Sequence, residues 1–384
     1  MPSPWLWSRG EEGPKMRRRG VSRRMPREGT KMTAEPRSPL TEARAREYYR
    51  TLMNPVDRRT TDITHLAACK EAAEELGRRA FLDRERSAWE VVQIIEWRIQ
   101  RRTCYRPIAP VDVLVLSILY EIENRSIPEI EVPEGRSPEA FCRELRNHVM
   151  RFSATESRLM KVIASGELEL EDWRYLAYQW ISSTIDFTRA IAVASLPLPR
   201  PQARLLIENL YDEAGRGDWS RSHYIQLRNL LTLLEIDIED EAQMLAWTVP
   251  EVLALVNTQN RLLWQTGPEG ALGALYLVEQ LIPTEMTEIR RHLAALDFSP
   301  EDLGYLDEHM TVDIRHSEEW LGIIADLIRD HEAQQLVFNA AVQQGRAQRA
   351  AWDAAYEGWR KWKETGEVVH LPFERYEEEA QDER

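Results

Sequence analysis

At 384 residues and 44.8 kDa, with 43% hydrophobic and 30% charged residues, the chain can bury a full globular core. Its net charge of −14 argues against a body built to hold nucleic acid. No apolar run reaches the roughly 18–20 residues that span a bilayer, and Cys69, Cys104 and Cys142 stand at unrelated spacings, which leaves no thiolate zinc motif and suits a reducing cytoplasm.

Residues 1–31 carry nine Lys or Arg against three Glu and lack the apolar stretch of a secretory signal. They predict a disordered basic leader over 1–37, with a nucleic-acid arm as the sharper alternative; Met32 would serve equally well as a start. Ser38 followed by Pro39 is a helix-start signal. From there to Phe152 the text predicts an N-terminal helical region (38–152), clearest at Asp83–Arg101 and Pro110–Asn124. Its histidines, His65 and His148, are isolated, so packing or dimerisation is the expected role. Residues 153–196 give two more helices, and Pro197 to Pro201 is a stiff break. Helices then follow at Arg204–Ala214, His223–Leu234, Glu241–Trp247, Pro250–Thr266, Gly270–Ile282, Thr284–Leu296, Leu303–Leu327 and about Ala333 to Lys363. They complete a domain over 153–364, ahead of an acidic tail, 365–384. With no strand-period segment, no solenoid repeat and no phosphate-binding glycine motif, the fold class is all-α.

The stretch Leu303–Leu327 organises the rest. At alternating steps of three and four, Leu306, His309, Asp313, His316, Trp320, Ile323 and Leu327 share one helix face, the spacing of a buried seam. That seam is apolar at both ends and holds two imidazoles and a carboxylate in its middle. A buried carboxylate needs a partner or a metal, so His309, Asp313 and His316 form a candidate ligand cluster. Three other seams carry such groups. Leu206, Leu210 and Glu213 close one helix on a glutamate, whereas His223, Leu227, Leu230 and Leu234 open the next on a histidine. Leu272, Leu275, Glu279 and Ile282 bury a second glutamate beside Gly270 and Gly273. Three carboxylates supply −3 against the +4 of two divalent ions, and a His/carboxylate set without thiolate suits iron, manganese or zinc. A ferritin-like bundle needs two Glu-x-x-His motifs; the chain has one, ending at His370 in its tail, so that arrangement fails.

These motifs resemble the haem-oxygenase-like diiron oxidases and oxygenases. The resemblance covers about residues 153–330, through Asn209–Glu213, the glycine turn to His223, Gly273–Glu279 and His309-x3-Asp313-x2-His316. It implies a haem-oxygenase-like helical bundle whose iron ligands are Glu213, His223, Glu279, His309, Asp313 and His316, with Asp186 as a candidate extra carboxylate. Haem itself does not fit the pattern, because no histidine lies between His148 and His223. The resemblance further implies two Fe(II)/Fe(III) ions, O2 as co-substrate and an external electron donor or redox partner. The expected reaction is N-oxygenation of an amine or imine nitrogen in a small natural-product precursor. Oxidative C–C cleavage or desaturation of an amino or fatty acid is the alternative, and a non-catalytic metal-binding protein the alternative of another class. Tyr276, one turn before Glu279, and Trp219, just before His223, are candidate pocket residues. A cytoplasmic homodimer, with neither nucleic acid nor membrane as a partner, completes the expectation.

Overall fold

Helical spacing of apolar residues becomes helix along the computed structural model, which describes residues 39–53, 62–105, 109–153, 155, 157–237 and 241–368. The helices are α1 (Glu42–Met53), α2 (Ile63–Gly77), α3 (Arg86–Tyr105), α4 (Pro110–Ser126), α5 (Pro138–Val149), α6 (Arg158–Ser165), α7 (Leu170–Thr184) and α8 (Phe187–Ser195). They continue with α9 (Arg200–Glu213), α10 (His223–Leu233), α11 (Glu241–Trp247), α12 (Pro250–Gln265), α13 (Gly267–Ala295), α14 (Gly304–Leu327) and α15 (His331–Thr365). No strand occurs among the described residues. The basic leader, and the tail from residue 369 with His370, lie outside them.

Local chemistry sets the boundaries. Ser38 falls outside the described residues, and the first helix starts later than its signal predicted. Thr41 Oγ1 accepts from the Arg44 amide at 3.3 Å and so caps α1. Pro110 and Pro250 occupy the first turns of α4 and α12, where their missing N–H costs nothing. A second correction concerns Pro283. The two helices expected on either side of it are one helix, α13, with the proline inside. Pro283 cannot donate to the carbonyl of Glu279, four residues back, but α13 packs along both α14 and α15 over its length, and that burial holds it continuous.

One apolar cluster runs from Tyr48, Val92 and Val115 in α1–α4 to Ile181 of α7, Leu230 of α10 and Leu306 of α14. A second gathers Phe141, Leu275, Trp320, Ile323 and Val337 from α5, α13, α14 and α15. All described helices fall within one compact unit, Leu40–Arg384. The polar seams of α9, α10, α13 and α14 meet between the two clusters.

Candidate metal centre

Glu213, His223, Glu279, His309, Asp313 and His316 are all buried, none more than 5% exposed. Each reaches the interior for a local reason. Glu213 is the last residue of α9 and His223 the first of α10, ten positions later. The turn between them folds back because Gly215 adopts φ +80°, where a Cβ would lie 2.2 Å from the Asp218 carbonyl oxygen. Ser222 then caps α10, its Oγ accepting from the Ile225 amide. Asn209 ties α9 to α14, accepting from Trp320 Nε1 at 3.0 Å and donating to Glu319 at 2.6 Å.

Ligand atoms of Glu213, His223 and His309 lie within 4.8 Å of one another, as do those of Glu213, Asp313 and His316. Glu213 is common to both triads. Glu279 joins the second, its Oε2 3.5 Å from His316 Nδ1, while Asp313 Oδ1 lies 3.6 Å from the same nitrogen. The six expected side chains therefore converge.

Hydrogen bonds decide which imidazole nitrogens face the cluster. His309 Nδ1 donates to the Tyr305 carbonyl at 2.7 Å, which leaves Nε2 as its ligand atom. Asp212 Oδ2 accepts a hydrogen bond from His316 Nε2 at 3.2 Å and leaves Nδ1 towards Glu279 and Asp313. Asp212 is itself paired with Arg315 and, at 2.6 Å, with Arg216. Arg216 also reaches Glu308 at 2.9 Å. The ring of Tyr305 packs 4.2 Å from that of His309 and 6.0 Å from that of His223.

The electrostatics ask for a cation. Burial alone would raise the Glu213 carboxyl, yet His223, helped by His309 and His316, brings it below its ordinary value. Burial and then Asp313 push Glu279 up to about 8. Against burial, Asp313, Glu279 and Asp212 drive His316 up to about 11, so without metal a proton supplies the positive charge there. Buried atoms without hydrogen-bond partners include both oxygens of Glu279, Asp313 Oδ1, His316 Nδ1 and both nitrogens of His223. His223 Nδ1 is 2.7 Å from Glu213 Oε2 yet lacks hydrogen-bond geometry, as expected of two ligand atoms turned to a common point. Orphaned atoms in a buried polar patch are costly; the same atoms fit divalent iron well.

The comparisons with known proteins agree. Residues 174–348, from α7 into α15, match the model of a family described as iron-containing redox enzyme. The match contains all six buried ligand candidates and leaves α1–α4 outside it. A Chlamydia muridarum protein named 4-aminobenzoate synthase is 28% identical over 186 residues, covering 47% of this chain and 76% of the relative. A solved TenA homolog from Pseudomonas syringae pv. tomato superposes with a TM-score of 0.50 at 16% identity, covering 59% of this chain and 100% of that one. A Shewanella denitrificans domain of unknown function with a heme oxygenase-like fold gives 0.48 at 14%, covering 60% and 96%. The fold is the haem-oxygenase-like helical bundle, all-α as its periodicity predicted, with α1–α4 added in front. Among the described residues no helix is long and apolar enough to cross a membrane.

A cavity of about 80 Å³ opens onto Glu213, His223 and His309 and runs between α7, α12, α13 and α15. Its walls include Trp180, Leu227, Val256, Ile282 and Met286, with Glu285, Gln344 and Gln348 as polar members. Three sequence expectations are corrected here. Asp186 is not brought to the cluster; Arg101 at 3.0 Å and Arg189 at 2.5 Å hold its carboxylate at the start of α8. Tyr276 is fully buried in the second apolar cluster, its hydroxyl donating to Gln280 at 3.1 Å, and does not line the cavity. Trp219 is 63% exposed and stacks on Tyr224 instead. Sequence reasoning missed Asp212, Tyr305 and Glu285. Tyr305 was within reach, since it lies one helical turn before His309.

Proposed function

We propose that the chain is a non-haem diiron, O2-dependent oxidoreductase that N-oxygenates an amine or imine nitrogen of a small, mainly apolar precursor. The observation that carries this reading is the pair of buried ligand triads sharing Glu213, the donor arrangement for two adjacent metals. Glu213, His223 and His309 would hold one iron, and Glu213, Asp313 and His316, with Glu279, the other. Bound iron would supply the electrons and the open positions needed to activate O2. The cavity supports catalysis over a purely structural site, because a closed structural site would not present three of its ligands to an open space. Nitrogen chemistry finds support in the relative named for making 4-aminobenzoate, an amine.

The protein's own groups have definable tasks. Asp212 and the Tyr305 carbonyl fix the tautomers of His316 and His309 and so aim one nitrogen of each. Trp180, Leu227, Ile282 and Met286 exclude bulk water from the space beside His309. The reductant would arrive from outside the chain.

Anaerobic titration of the metal-free protein with ferrous iron, followed by rapid mixing with O2 under visible absorption, tests the reading. Two irons per chain and an O2-dependent transient are expected, followed by turnover of amines in a screen against carboxylic acids. His309→Ala and Asp313→Ala should keep the helical circular dichroism and lose most iron and all turnover. Parent-like iron binding by both variants would mean that the centre is elsewhere.

A further inference from the structure

The cavity has a polar end that the metal ligands do not explain. Glu285 lies on α13 six residues after Glu279, roughly 9 Å farther along the helix axis. It is 3% exposed, and its Oε1 accepts from Gln348 Nε2 at 2.7 Å. Beside it Gln344, also buried, leaves its Oε1 without a partner. Both residues line the cavity, and among the described lining residues there is no Lys or Arg. The hydroxyls of Ser183 and Thr184, also in the lining, already donate to the Trp180 carbonyl and offer only lone pairs. The lining thus offers acceptors at Glu285, Gln344, Ser183 and Thr184, beside the amide N–H donors of its glutamines and the unpaired indole N–H of Trp352.

We propose that Glu285, with Gln344 and Gln348, anchors a protonated amine of the substrate. Glu285 has no Lys or Arg among its neighbours in the lining, so a bound ammonium would be the cation that lets it ionise, whereas a substrate carboxylate would find no cation there. Burial pushes the Glu285 carboxyl up to about 8, the response of a group that lacks its counter-ion. An ammonium held there has no free lone pair. It is therefore an anchor, and oxidation falls on the other end of the molecule, which faces His223 and His309. This inference rests on the oxygenase reading and adds that the substrate carries a basic amine besides the group that reacts.

Isothermal titration calorimetry on protein equilibrated anaerobically with ferrous iron at pH 7 tests the anchor, with n-hexylamine, hexan-1-ol and hexanoate as probes. The amine should bind at least tenfold more tightly than either of the others. Glu285→Gln should abolish that preference while leaving hexanol binding as it was, and Gln344→Leu should weaken the amine alone. Equal binding of the three probes, or a preference for hexanoate, overturns the proposal; the parent's own ranking decides this even if a variant fails to fold. Amine preference persisting in Glu285→Gln overturns it too. The O2 experiment separates the two readings. Amine preference without O2 reactivity would leave the anchor and sink the oxygenase, and O2 reactivity without amine preference would do the reverse.

Discussion

His316 shows how one side chain outside a ligand set controls one inside it. Its Nδ1 faces Glu279 and Asp313 because Asp212 occupies the other nitrogen, and Arg315 and Arg216 hold Asp212 in place. Removing that charge while keeping the shape should loosen the ring and weaken its basicity. Asp212→Asn is expected to reduce iron affinity by about 10–100-fold with the helical signal intact; parent-like affinity in a competition titration would remove Asp212 from this role. The six ligand candidates were legible in the sequence because each interrupts an apolar seam. Asp212 was not, since it lies about 100° around the helix from Glu213 and its arginine on α14 is 103 residues away. Asp186 misled for the same reason. Nearness along the chain suggested the metal, and a distant Arg101 took the carboxylate.

At the scale of elements, the centre depends on how closely α13 approaches α15. A Cβ on Gly273 would fall 2.2 Å from the Val337 carbonyl oxygen and 3.0 Å from the Ala340 Cβ. Backbone atoms cannot yield as a flexible side chain can. Gly273→Ala should therefore cost about 1–3 kcal/mol and lower the melting temperature by several degrees, and an unchanged melting curve would show that the two helices are free to part. The glycine's role in close helix contact was readable, because small residues beside a buried glutamate suggest it. The continuity of α13 through Pro283 was not. A proline ends most helices by the loss of one hydrogen bond and a steric clash, and only packing on two neighbours tells when that cost is overcome.

For the whole molecule, the decisive feature is that α1–α4 share an apolar cluster with α7, α10 and α14. A core shared in this way should melt as one. Urea unfolding followed by tryptophan fluorescence and by far-ultraviolet circular dichroism is expected to give coincident, single transitions. Two separated transitions would mean that the N-terminal helices form an independent body, as the division at residues 152 and 153 supposes. Dimerisation through those helices stays a proposal, tested by the mass of the protein in solution.

The sequence by itself determined the all-α class, most helix positions and the six buried ligand candidates, because periodicity and the cost of buried charge are local properties of each helix. Tertiary structure alone decided that Glu213 belongs to both triads, that Asp212 sets the tautomer of His316, and that Tyr276 faces the core and Glu285 the cavity. Those outcomes depend on which helix faces which, and a spacing pattern within one helix carries no information about its neighbour.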